Sequence, residues 1–166
     1  MPRALSLIWT DDMDFSELVT ADAVAVDVVA ANRRTALERA AALLATSANV
    51  CADEILAALL EREKLGTTGF GAGTAIPHGR VAGMRGVRGA IVRLASPVDW
   101  DAVDGLPVDV VVALSGPDAG GADNLKALAL VSRALRDKAL VAKLRGCRDA
   151  AALWALAANG GDRKAA

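Results

Sequence analysis

The residues with the greatest chemical capacity in this chain lie between Arg62 and Gly79. His78 is the only histidine. Histidine is the side chain that can be neutral and nucleophilic at cellular pH. Pro77, before it, fixes its own φ and biases Ile76 toward extended backbone. Gly79, after it, removes bulk beside the ring. A stiff approach on one side and open space on the other predict an imidazole presented at a surface. Upstream, Gly66, Gly69, Gly71 and Gly73 let the backbone come close to a ligand, and successive amides in such a loop can form a concave anion site. Thr67, Thr68 and Thr74 add hydroxyl donors. Arg62 brings a permanent cation whose fork geometry suits a phosphate. A nucleophile, an anion cradle and a charge clamp thus fall within 17 residues. The same residues admit a plainer reading: a hydrogen-bonded surface histidine, a set of turns, and an arginine between Glu61 and Glu63 on a solvated helix face. The loop has neither the GxxxxGK[ST] nor the GxGxxG pattern of nucleotide-binding loops.

The elements that must position these residues are partly readable. Val24, Val26 and Val28 alternate with Ala25 and Asp27, which predicts a strand. Asn32 is an N-cap for a helix over 33–46, whose core face is Leu37, Ala40, Ala41 and Leu44. A second helix is expected over 52–64, with Asp53 and Glu54 in its first turn and Ile55, Leu56, Leu59 and Leu60 inward. Gly66 stops it, leaving Arg62 at its end. Past the glycine-rich run, 89–94 and 108–114 read as strands, the second apolar enough to be covered on both faces. Helices are expected over 123–135, with Leu125, Leu128, Ala129 and Leu135 inward, and over 137–144 and 149–157. Strands interleaved with helices imply an α/β layer arrangement. The sheet should be mixed, because links such as 99–107 are too short for a helical crossover. Residues 1–16 read as a partly ordered extension, 17–158 as one domain, and 159–166 as a frayed tail.

Composition excludes several classes of function. The formal net charge is −1, which gives no footprint for nucleic acid. No apolar run is long enough to cross a bilayer. The N-terminal apolar stretch is cut off by Asp11, Asp12 and Asp14, which does not suit a signal peptide, so a cytoplasmic chain without direct membrane insertion is expected. One His and two Cys do not make a zinc site. Cys51 and Cys147 read as two buried, reduced thiols. No metal and no cofactor are expected.

The run GTTGFGAGTAIPHGRV, from Gly66 to Val81, resembles the signature of the type 2 enzyme IIA domains of the bacterial phosphotransferase system, the fructose–mannitol–nitrogen group. The likeness continues through ELVTADAVAVDVVAANRRTALERAAALLA, PVDWDAVDGLPVDVVVAL and DNLKALALVSRALRDKALVAKLRGC, and so covers nearly the whole chain. It implies the mannitol-IIA-like α/β fold, a mixed sheet flanked by helices on both faces. It implies that His78 accepts a phosphoryl group from an HPr-type carrier, with Arg62, at the family's spacing of 16 residues, stabilising the phosphate. Thr67, Thr68, Gly71, Gly73 and Gly79 would form the phosphate-binding loop. Partners would be that carrier and either an enzyme IIB or regulated target proteins. LGTTGFGAGTAIPHG, DAVDGLPVD and the lack of a fused carrier or membrane domain resemble the nitrogen-regulatory branch most. The family's second histidine, in an H-L-x-x-L pattern, is replaced here by Asn124. Asparagine cannot titrate, but its amide can still donate to a phosphoryl oxygen, and a non-phosphorylated module that only binds regulatory partners stays open beside the carrier reading.

Overall fold

The computed structural model describes residues 13–162. Asp14 caps a single turn, Phe15–Leu18 (α1), by accepting from the Ser16 amide at 3.2 Å. A 3₁₀ turn, Ala21–Ala23, leads into β1, Val24–Val28. Two helices follow, Arg33–Ser47 (α2) and Ala52–Lys64 (α3). The glycine-rich run then forms three very short strands, Gly69–Gly71 (β2), Thr74–Ala75 (β3) and His78–Arg80 (β4). Two long strands, Arg88–Val98 (β5) and Val108–Gly116 (β6), are followed by helices Gly121–Arg136 (α4), Lys138–Gly146 (α5) and Ala150–Asp162 (α6).

The sheet is mixed. Its order is β1-β5-β6-β3-β2, with β4 also paired to β6. β1 runs parallel to β5, β5 antiparallel to β6, and β3 and β4 parallel to β6. Consecutive residues of β5, Ala90 to Leu94, are all buried, as are Val110 to Ser115 of β6. A strand buried at every position is covered on both faces. Helices α2 and α3 pack together and against β4, β5 and β6, while α4, α5 and α6 form a second group that reaches β6 and β1.

β3 and β4 are one strand with a break. Thr74 lies opposite Val110 and His78 opposite Leu114, the same offset on either side of Ile76–Pro77. Proline has no N–H to give to a ladder, so the break falls there. Its carbonyl still accepts from the Leu114 amide at 2.9 Å, which keeps the register. His78 is thereby fixed as the first residue of a strand, not carried on a loose loop.

The Asn32 side chain accepts from the Thr35 amide at 2.9 Å and so starts α2 as its type predicts. Leu37, Ala40, Ala41 and Leu44 are all buried. Other expectations need correction. In α4 the buried face is Ala127, Val131 and Leu135, while Leu125 is 66% exposed. Phe15, ahead of residue 17, is buried against the core. The last helix continues through Asn159 to Asp162, with Gly160 against Leu140. Residues 1–12 of the expected extension and 163–166 of the expected tail lie outside the described residues. Cys51 is exposed and Cys147 half-buried, so the two thiols are not both in the core.

Candidate phosphoryl site at the β4–α3–α4 junction

His78 leaves β4 beside the end of α3. Its Nδ1 lies 2.9 Å from the Ile76 carbonyl oxygen. A carbonyl can only accept, so Nδ1 carries the proton and donates, and Nε2 keeps its lone pair. Arg62 Nε–H donates to that Nε2 at 3.3 Å, and Arg62 Nη1 donates to the Gly66 carbonyl at 2.8 Å. The local fold thus selects one tautomer and turns the nucleophilic nitrogen toward a cation.

Arg62 reaches this position because α3 ends just beyond it. Leu65 closes the helix, and Gly66 follows at φ +144°, a conformation that favours glycine. The segment after the helix is clamped by Glu63, whose buried carboxylate accepts from the amide of Thr68 at 3.2 Å and from its hydroxyl. Arg33 lies 3.5 Å from the same carboxylate, and Trp100 Nε1 donates to the Thr68 hydroxyl at 3.2 Å.

A pocket of about 590 Å³ opens at the junction. It is lined by Ala58, Arg62 and Leu65 of the α3 end, by His78, Gly79 and Arg80 of β4, by the end of β6, and by Asn124, Leu125 and Leu128 of α4. Asn124 donates through Nδ2 to the Pro117 carbonyl at 3.1 Å, while its buried Oδ1 has no partner among the described residues. Gly116 leaves the space that this side chain occupies; a Cβ there would collide with Oδ1. Asn124 also sits in the first turn of a 16-residue helix, whose positive dipole end faces the site.

Of the residues singled out in the sequence, the structure brings His78, Arg62, Asn124 and Gly79 to one pocket. It does not bring Thr67, Thr68, Gly71 and Gly73 there. Thr67 donates to the Trp100 carbonyl at 2.6 Å, and Thr68 is held by Glu63 and Trp100. Gly71 and Gly73 take positive φ in the β2–β3 hairpin. That hairpin is tied down by Asp104, which accepts from the Ala72 amide at 2.8 Å, and by Arg145, which donates to the Ala72 carbonyl at 2.7 Å. The Ala72 and Leu106 amides hold the Asp104 carboxyl below its ordinary pKa. The glycine-rich run is a braced hairpin that leads to His78, and the residues that line the pocket with His78 include Arg62 and the first turn of α4 but not the loop threonines. Phe70 lies under the Arg136 guanidinium, 5.9 Å from its ring centre, and not in the pocket. Sequence reading missed the apolar rim, Leu65 and Leu125. Their exposure on otherwise amphipathic helices was the available signal, but it cannot be told from core periodicity without the fold.

A sheet of this order, with a histidine held at its edge by an arginine from the preceding helix, defines a class. The chain belongs to the family described as phosphoenolpyruvate-dependent sugar phosphotransferase system, EIIA 2, whose family model matches residues 17–159. Within that family it is similar to the nitrogen regulatory protein of Bradyrhizobium diazoefficiens, with 40% identity over 88% of this chain and 95% of that protein. Among solved structures, the nitrogen regulatory protein IIA-Ntr of Neisseria meningitidis superposes with a TM-score of 0.80 at 30% identity, covering 86% of this chain and 97% of that one. The Escherichia coli mannitol enzyme IIA, solved in complex with phosphorylated enzyme IIB, shares the fold at a TM-score of 0.71 and 18% identity, covering 86% and 99%.

Proposed function

We propose that this protein is a phosphocarrier that takes a phosphoryl group on His78 Nε2 from an HPr-type carrier and acts as a nitrogen-type regulator. The observation that carries this reading is the fixed tautomer. Nδ1–H is committed to the Ile76 carbonyl, and the Nε2 lone pair faces the pocket beside Arg62. In the step, the Nε2 pair attacks the phosphorus of the donor phosphohistidine. A new N–P bond forms while the donor's N–P bond breaks, and the electrons of the broken bond return to the donor ring. No proton need leave His78, since its proton is on Nδ1. The loose transition state gathers charge on the three equatorial oxygens, so positioning and cations carry the catalysis. Arg62 and the first turn of α4 supply them, and neither a metal nor a cofactor takes part.

Phosphorylation places roughly 1.5 to 2 negative charges at the pocket mouth. That suffices to repel one partner and recruit another without a large rearrangement. The similarity to nitrogen regulatory proteins supports regulation by phosphorylation-dependent protein binding. The mannitol relative's complex with phosphorylated enzyme IIB supports a second reading, transfer onward to an enzyme IIB for sugar uptake. Among the described residues no helix is long and apolar enough to cross a membrane.

The test is to incubate the protein with phosphoenolpyruvate, enzyme I and an HPr-type carrier, then weigh it. One acid-labile, base-stable phosphoryl group is expected on wild type and none on His78→Ala, which should keep the wild-type circular dichroism. A folded His78→Ala that still became labelled would overturn the assignment. Adding an enzyme IIB separates the two readings, because only a transport component would empty its phosphoryl group onto it.

A further inference from the structure

We infer that Arg80 is a second phosphoryl-binding residue, closing the site opposite Arg62; this rests on His78 being the acceptor. Three observations support it. First, His78 and Arg80 are two residues apart in β4, and residues at that spacing leave a strand on the same face. Gly79, between them, points its missing side chain at Ala58 of α3. Second, both side chains line the same pocket. Third, Arg80 is exposed and, among the described residues, its side chain makes no hydrogen bond or ion pair. A strand-borne cation held beside an anion site with no task in the fold is available to a ligand.

Arg62 alone does not fill the need. Its Nε–H is directed at the lone pair that phosphorylation consumes, and its Nη1 is held by the Gly66 carbonyl. A phosphoryl group in transfer presents three charged equatorial oxygens. Arg62 covers the side toward α3, and the α4 first turn lies across the pocket. Arg80, two residues along β4 from His78, adds a further cation to the same pocket. Its planar fork can take one oxygen or bridge two. The transfer is the one described above: the N–P bond to His78 Nε2 forms as the donor N–P bond breaks, and Arg80 exchanges no proton.

The experiment compares wild type, Arg80→Ala, Arg80→Lys and His78→Ala as acceptors from the phosphorylated HPr-type carrier, in rapid-quench assays across carrier concentrations. Loss of a hydrogen bond to a charged group corresponds to about a 10- to 100-fold slower maximal rate for Arg80→Ala, with Arg80→Lys between. The carrier concentration at half-maximal rate should change little. In ³¹P spectra, the phosphohistidine of Arg80→Ala should titrate at higher pH than that of wild type, because a cation that favours the dianion is gone. Melting temperatures should match, since the Arg80 side chain holds no hydrogen bond or ion pair among the described residues. A wild-type maximal rate in Arg80→Ala, or a defect confined to the carrier concentration, would overturn the proposal. Failure of wild type itself to accept phosphate would instead overturn the reading of His78.

Discussion

At the scale of single residues, the site is defined by which atoms already have partners. His78 Nδ1 is committed to a carbonyl and Nε2 is not committed to a proton, and that difference makes the ring a nucleophile at one atom only. Asn124 shows the reverse case. Its Nδ2 is anchored to the Pro117 carbonyl, while Oδ1 is buried without a donor. An NH₂ group has two hydrogens, so one remains to meet a phosphoryl oxygen. Truncating this residue removes one hydrogen bond but also relieves an unpaired buried acceptor. The two effects oppose, and Asn124→Ala is expected to change stability by no more than about 1 kcal/mol in urea unfolding. Phosphoryl transfer should nevertheless slow by roughly tenfold, the value of about one such hydrogen bond in the transition state. A rate equal to wild type would remove Asn124 from the site and leave the α4 amides to act alone.

At the scale of elements, the pocket depends on how closely β4 lies against α3. A Cβ added to Gly79 would meet the Ala58 side chain at 2.9 Å and its backbone at 3.0 and 3.1 Å. Backbone cannot yield as a flexible side chain can. Gly79→Ala is therefore expected to push β4 off α3, costing about 1–3 kcal/mol and lengthening the gap between Arg62 and His78. Urea unfolding checks the first effect and the rate of phosphoryl acceptance the second, and a variant as stable and as fast as wild type would refute this packing. Elements with their own local signals were legible in sequence: α2 begins at Asn32, and α3 spans 52–64 as its charges and stripe require. The short strands β2, β3 and β4 were not legible. They are two or three residues long and rich in glycine; β3 and β4 exist because they pair along β6, and β2 because it pairs with β3. The threonines and glycines before His78 therefore looked like a ligand cradle, when Glu63, Trp100 and Asp104 hold them for the fold. The face of α4 was misread for a different reason. Its apolar residues surround much of the helix, and the small Ala127 faces inward while Leu125 turns out to the pocket. Packing of α4 on β6 and the last two helices decides which residues turn inward, and periodicity carries no sign of it.

At the scale of the whole molecule, the protein has a formal net charge of −1, so one phosphoryl group, worth roughly 1.5 to 2 negative charges, would more than double its negative charge. Salt limits the reach of that change to about 8–10 Å under cellular conditions. A partner that senses phosphorylation must therefore sit on the pocket mouth itself. The mouth carries Leu65, 84% exposed, and Leu125, 66% exposed, on opposite sides of His78's cavity. Two large apolar side chains left in water beside a charge-switching histidine suit a docking ring, in which apolar contact supplies affinity and phosphate sets its sign. Leu65→Gln and Leu125→Gln test this without adding charge beside the phosphoryl group. Neither residue is in the core, so both variants should melt within a few degrees of wild type. Each should need roughly tenfold more carrier to reach half-maximal phosphorylation, the equivalent of about 1.4 kcal/mol of lost contact, while the maximal rate, set by His78 and its cations, stays near that of wild type. If both variants took phosphate at wild-type carrier concentrations, the carrier would have to approach His78 without crossing either leucine, and the pocket mouth would not be the docking surface.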